Sequence, residues 1–148
     1  MNIFKKIADA FKPLTLVDPV FGTLRYQKVG FWEGKVRFQP LSEEIEVLVD
    51  GDATGPTGEQ GRWFKEIEGR YASFLPQIVD SAMPRIHEWN KELTKDKMLK
   101  ELKLETISVN KCESGQHEWE VTFYSDSLEH WVNVTFIDWK ASQAMIDG

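Results

Sequence analysis

The chain has one cysteine, Cys112, so no intrachain disulfide can form. No signal-peptide pattern opens the sequence, and together these features lead us to expect a reducing, cytoplasmic setting. No apolar run reaches the ~18 residues a spanning helix needs. There is no Gly-x-Ser-x-Gly, His-Glu-x-x-His or Gly-x-Gly-x-x-Gly pattern, which removes the common hydrolase, zinc-protease and dinucleotide signatures. Basic side chains are also outnumbered, 18 Lys and Arg against 24 Asp and Glu. A net charge of −6 argues against nucleic acid as a direct partner, because phosphate binding needs a basic surface.

What is present describes an ordinary globular chain. Its 148 residues, 41% hydrophobic and 28% charged, favour one domain with a sizeable core over disorder. Negative charge comes in blocks. Residues 42–59 carry Glu43, Glu44, Glu46, Asp50, Asp52 and Glu59 without a Lys or Arg, and residues 101–148 hold nine acidic and three basic side chains. Such a surface permits a basic protein partner.

Periodicity sets the expected order of elements. Ile3, Phe4, Ile7, Ala8 and Phe11 make one helical stripe, with Lys5, Lys6 and Lys12 elsewhere. We therefore expect a short N-terminal amphipathic helix and an extended connector over residues 1–17, followed by a single α+β domain over 18–148. The helix is expected to pack on the domain or a partner, with membrane docking as the alternative. "TLRYQKVGFWEGKVRFQ" reads as two strands with their turn close to Glu33-Gly34. "EIEVLVD" alternates strictly, with Ile45, Val47 and Val49 on one face. From Phe64 to Leu93 apolar residues step by three or four. Pro76 and Pro84 interrupt that stripe, which predicts a kinked helix or two consecutive ones. A further short helix begins with Thr94 as N-cap. Strands are expected at 104–110, 118–125 and 130–138, with a possible fourth at 141–146. The sum is an antiparallel sheet of about six strands in the order β-β-β-α-α-β-β-β, with the helices on one face.

Asp50, Asp52, Thr54 and Gly55 imitate the opening of a calcium loop. The twelfth position is Gly61, and a strand period precedes the loop where an EF-hand requires a helix. A turn leading to a helix start near Thr57, with Glu59 in its first turn, is the better reading. Matching the apolar faces of the last hairpin sets Val121 opposite Val134 and Phe123 opposite Val132. His117 then faces Asp138 and His130 faces Ser125. The two histidines lie ~25 Å apart at ~3.3 Å per residue and cannot share an ion. His87, His117 and His130 are read as structural. Cys112, five residues before His117, is read as incidental, so no metal, cofactor or catalytic residue is expected. The other face of the same hairpin carries Glu118, Glu120, Thr122 and Tyr124 across from Trp131, Asn133, Thr135 and Ile137, with Trp139 just beyond. Carboxylates that steer and aromatics that bury suit a basic protein ligand.

The segments "DPVFGTLRY", "FWEGKVRF", "EIEVLVDGD" and "GPTGEQGRWFKEIE" resemble a group of small, uncharacterised bacterial domains that share a D-x-x-F-G strand start, a W-E-G hairpin and an I-x-V-x-V strand before a helix. The likeness covers about residues 18–75, and the closing "HWVNVTFIDWKASQAMIDG" is similar to that group's last strands. Small acidic proteins similar to these include immunity proteins of toxin loci. The resemblance thus implies a non-enzymatic module that neutralises a basic toxin domain. The contact candidates are Glu43, Glu44, Glu46, Asp50, Asp52, Glu59, Glu118, Glu120, Tyr124, Trp131 and Asn133. The alternatives are a small enzyme using a carboxylate or Cys112, and a scaffold docking through the N-terminal helix.

Overall fold

The computed structural model describes residues 2–4 and 13–148. Its elements are β1 (Thr15–Asp18), β2 (Gly22–Gln27), β3 (Phe31–Phe38), β4 (Glu43–Asp50), α1 (Gly58–Trp89), α2 (Lys95–Glu101), β5 (Lys103–Val109), β6 (Glu118–Ser125), β7 (His130–Ile137) and β8 (Lys140–Asp147). All eight strands form one sheet in sequence order, β1 through β8. Neighbours are antiparallel except β4 and β5, which run parallel. A parallel pair needs a crossover, and the two helices supply it.

This corrects the expected six-strand sheet: four strands precede the helices and four follow. The segment read as a connector contains β1, which pairs with β2 through Leu16↔Leu24 and Val17↔Thr23. Strand β8 is a full partner of β7. The expected N-terminal amphipathic helix falls mainly on residues 5–12, outside those described. The β2–β3 turn lies at Lys28–Gly30, with Gly30 at φ 102°, and not at Glu33-Gly34. Gly34 is instead a mid-strand position where the backbones crowd. A Cβ there would sit 2.7 Å from the Thr23 carbonyl oxygen and 2.8 Å from a Leu24 methyl.

α1 runs unbroken for 32 residues through Pro76 and Pro84. Its start is a capping box: the Thr57 hydroxyl accepts from the Gln60 N–H while the Gln60 side chain accepts from the Thr57 N–H. Thr94 caps α2 in the expected way. The apolar stripe of α1, from Phe64 through Ile67, Phe74 and Ile78 to Ile86, is buried against one sheet face. Phe64 meets Phe21 and Phe38 with ring centres 5.2 and 6.2 Å apart, and Phe74 meets Trp119 and Phe136 at 5.1 and 5.5 Å. Tyr71 packs edge-on to Phe38. Burial, with the Glu43 charge as a lesser cause, pushes the Tyr71 hydroxyl up to about 12. No described helix is long and apolar enough to cross a membrane.

Candidate functional site

Because both helices cover the same face, the opposite face of the sheet has no layer over it among the described residues. Alternation places Glu44, Glu46, Leu48 and Asp50 of β4 on that side, while Ile45, Val47 and Val49 enter the core. The β6–β7 register is the one the apolar faces require, with Val121↔Val134, Phe123↔Val132 and Ser125↔His130. Glu118, Glu120, Thr122 and Tyr124 therefore stand beside Trp131, Asn133, Thr135 and Ile137 on the open side. A register shift in β5 between Leu104 and Thr106 turns Glu105 onto the same face, where it accepts from the Trp131 indole at 2.7 Å. Tyr124 meets Trp131 edge-on, with ring centres 5.3 Å apart. The Thr122 hydroxyl donates to Asn133 at 2.8 Å, the Thr135 hydroxyl donates to Glu120 at 3.2 Å, and Asn133 donates to Asp147. These bonds hold side chains that would otherwise be mobile. Trp131 remains 41% exposed and Met145, which pairs with Asn133 from β8, 49%.

The remaining contact candidates lie elsewhere. Glu43 sits at the start of β4, close enough to Tyr71 on the helix side to affect its titration. Asp52 belongs to the β4–α1 loop, where its carboxylate accepts the Thr54 N–H at 2.9 Å and the Thr54 hydroxyl at 2.5 Å. Those two bonds hold its pKa below the ordinary value. Trp32 pins the same loop by donating to the Asp52 carbonyl at 2.8 Å. The loop follows a strand, as its period requires, and its aspartate is spent on a turn. Trp139 also leaves the open face. The β7–β8 turn, with Asp138 at φ 51°, carries it to the helix side, where Trp63 and Phe74 stack on it and Arg70 lies 4.3 Å from its ring centre.

Glu59 takes part in a second assembly at the end of the sheet. It projects from the first turn of α1 to His117, with Oε1 3.0 Å from Nε2. The other ring nitrogen of His117, Nδ1, is 4.0 Å from Cys112 Sγ and 3.6 Å from Asp138 Oδ1. His117 faces Asp138 as the hairpin register predicts. Its N–H donates to the Asp138 carboxylate at 3.0 Å and its carbonyl accepts the Asp138 N–H at 2.7 Å. The indole of Trp63 stacks flat on the imidazole, 3.8 Å away and 5° from parallel. Partial burial first, then the charge and hydrogen bond of Glu59 and the charge of Asp138, push the Cys112 thiol pKa up.

No family model, curated protein or solved structure matches this chain. Its chemistry is therefore read from its own side chains. Cys112, His117 and Glu59 line up in space as a nucleophile, base and orienting acid would, with Sγ beside Nδ1 and Oε1 beside Nε2. A thiol whose pKa is raised, first by burial and then by Glu59 and Asp138, and which lies 4.0 Å from its base, lacks the activation that arrangement needs. Sequence reasoning found Cys112 near His117 and missed Glu59, which is 58 positions from His117 in the chain. The signal was the helix start at Thr57, which fixes where Glu59 emerges. His130 and His87 are satisfied by backbone carbonyls, that of Leu128 at 2.7 Å and that of Leu93 at 2.9 Å.

Proposed function

We propose that this chain is a non-enzymatic module that binds a basic protein through the open sheet face, and that it acts in the cytoplasm as an immunity protein holding a cognate toxin domain. The observation that carries the reading is one-sided coverage. α1 and α2 seal one face, and the other presents Glu46, Glu118 and Glu120, with Trp131 and Met145 exposed on the same side toward one end of the strands. The carboxylates speed encounter with a cationic partner, and the exposed tryptophan and methionine supply burial that slows release. The immunity role rests additionally on the resemblance of residues 18–75 to small uncharacterised bacterial domains, and on an analogy between such small acidic proteins and immunity proteins.

The test begins with affinity capture from the native host, comparing the wild-type chain with Trp131→Ala and with a Glu46→Lys/Glu120→Lys double variant. The protein captured by the wild type alone is then titrated with all three at low and high salt. Trp131→Ala should weaken binding about tenfold or more, as expected when an aromatic anchor is truncated. The charge reversal should mainly slow association, and high salt should reproduce that slowing in the wild type. A captured partner that binds both variants and the wild type equally would remove this face from the function.

A further inference from the structure

We propose that Glu59, Cys112 and His117 form a binding site for one zinc-class divalent cation. Their donor atoms, a carboxylate oxygen, the thiol sulfur and a ring nitrogen, lie within 4.8 Å of one another. Around tetrahedral zinc, with bonds of about 2.0–2.3 Å, such donors sit roughly 3.3–3.7 Å apart. Glu59 Oε1 stands 3.0 Å from Nε2 and Cys112 Sγ 4.0 Å from Nδ1, on different ring nitrogens, so binding one ion through Nε2 requires the thiol to swing toward that edge of the ring and leaves Nδ1 to Asp138. Thiolate with imidazole selects zinc, cobalt and their neighbours over calcium and magnesium, which prefer all-oxygen shells.

Four further features fit a cation. The ligands come from two places, the first turn of α1 and the β5–β6 loop, so an ion would tie that loop to the helix start. The imidazole is already fixed by Trp63 on its face and by two backbone bonds to Asp138. Asp138 Oδ1, 3.6 Å from Nδ1, is placed as the outer carboxylate that orients a metal-bound histidine. Finally, among the described residues Glu59 and Asp138 form ion pairs only with His117, so two carboxylates share one imidazole and no Lys or Arg. Three protein ligands leave a fourth tetrahedral position for water or a partner's side chain.

The test uses the full chain, stripped with a chelator and titrated with Co²⁺ alone. One equivalent should produce a thiolate-to-cobalt charge-transfer band and the strong visible bands of tetrahedral cobalt, and Zn²⁺ should abolish both. Cys112→Ser should eliminate the charge-transfer band. His117→Gln and Glu59→Gln should weaken Co²⁺ binding by more than the roughly ten- to hundredfold expected for the outer-shell change Asp138→Asn. Protection of Cys112 from a thiol reagent by Zn²⁺ reads the same site in the unaltered chain, so a poorly folding variant does not block the test. Absence of the band in the wild type, its persistence in Cys112→Ser, or an unchanged thiol reaction rate with Zn²⁺ would each overturn the proposal and leave the cluster an ion pair.

Discussion

Among the described residues Gln60 is one of two buried polar ones, at 2% exposure, and its amide ties three elements together. Its oxygen accepts the Thr57 N–H at 2.8 Å, and its nitrogen donates to the carbonyls of Asp50 at 2.7 Å and Val109 at 3.2 Å. Those carbonyls mark the ends of β4 and β5, so one side chain joins the start of α1 to both members of the parallel pair. Gln60→Leu keeps the volume and removes all three bonds. At about 1 kcal/mol net for each bond, with a further 1–3 kcal/mol for stranding a buried partner, the loss is about 4–6 kcal/mol. Burying leucine in place of the amide returns about 1–2 kcal/mol. A net loss of about 3 kcal/mol follows, which at an m-value of about 2 kcal/mol/M lowers the urea midpoint by about 1.5 M. Gln60→Glu is the control: a carboxylate of nearly the same shape cannot donate to two carbonyls and should cost at least as much. Equilibrium unfolding followed by tryptophan fluorescence measures both. A midpoint shift under about 0.3 M for Gln60→Leu would show that water or a backbone shift replaces the amide, and the reasoning would fail.

Gly34→Ala should destabilise by about 1–3 kcal/mol, because its methyl would overlap the Thr23 carbonyl across the β2–β3 ladder; unfolding within 0.5 kcal/mol of wild type would contradict that crowding. At the other end of the molecule Glu101 accepts the Ser125 hydroxyl at 3.0 Å and the Ser127 N–H. Burial alone would raise its pKa, but the Ser127 and Ser125 bonds, helped by Lys97, outweigh that and lower it. A lowered folded-state pKa gives stability that is complete above the unfolded value of about 4.3 and is lost as pH falls through the folded value. Glu101→Gln should therefore be less stable than wild type at neutral pH and converge on it in acid, as unfolding curves between pH 7 and 3 would record; a constant difference across that range would exclude Glu101 as the cause. Tyr71, with its hydroxyl pushed up to about 12, is neutral in the folded chain where the unfolded chain already ionises. Stability should fall from pH 10 upward, and Tyr71→Phe should lessen that fall in an alkaline unfolding series.

The legible parts of this chain were those in which one periodicity governs many residues. The alternation of Val121, Phe123, Val132 and Val134 fixed the last hairpin's register and which side chains share its other face, Thr94 was readable as a cap because a hydroxyl there has one good use, and the turn residues before Thr57 marked a helix start nearby. The misread parts carry weak or local signals. β1 is four residues between prolines, with no buried side chain. β8 reads "KASQAMID", and only Ala144 is buried, so its apolar contrast is faint. The Glu33-Gly34 pair looks like a turn on composition alone, whereas the glycine is required by the neighbouring Thr23 backbone. Trp139 was assigned by strand parity, which a turn with positive φ at Asp138 cancels. The Glu59–His117 contact could not be read without knowing that β4 and β5 are neighbours, since only that pairing brings the start of α1 to the end of β5.

That pairing also shapes how the chain reaches its final form. Each half can assemble from adjacent hairpins, whose loops are short and close quickly. The seam between them joins Glu46–Val49 to Thr106–Val109, partners 60 positions apart by the difference of 106 and 46. Closing so long a loop carries an entropic penalty that local pairing does not repay. The central ladder is accordingly the place where late assembly, slow amide exchange once closed, and exchange of halves between molecules would all converge.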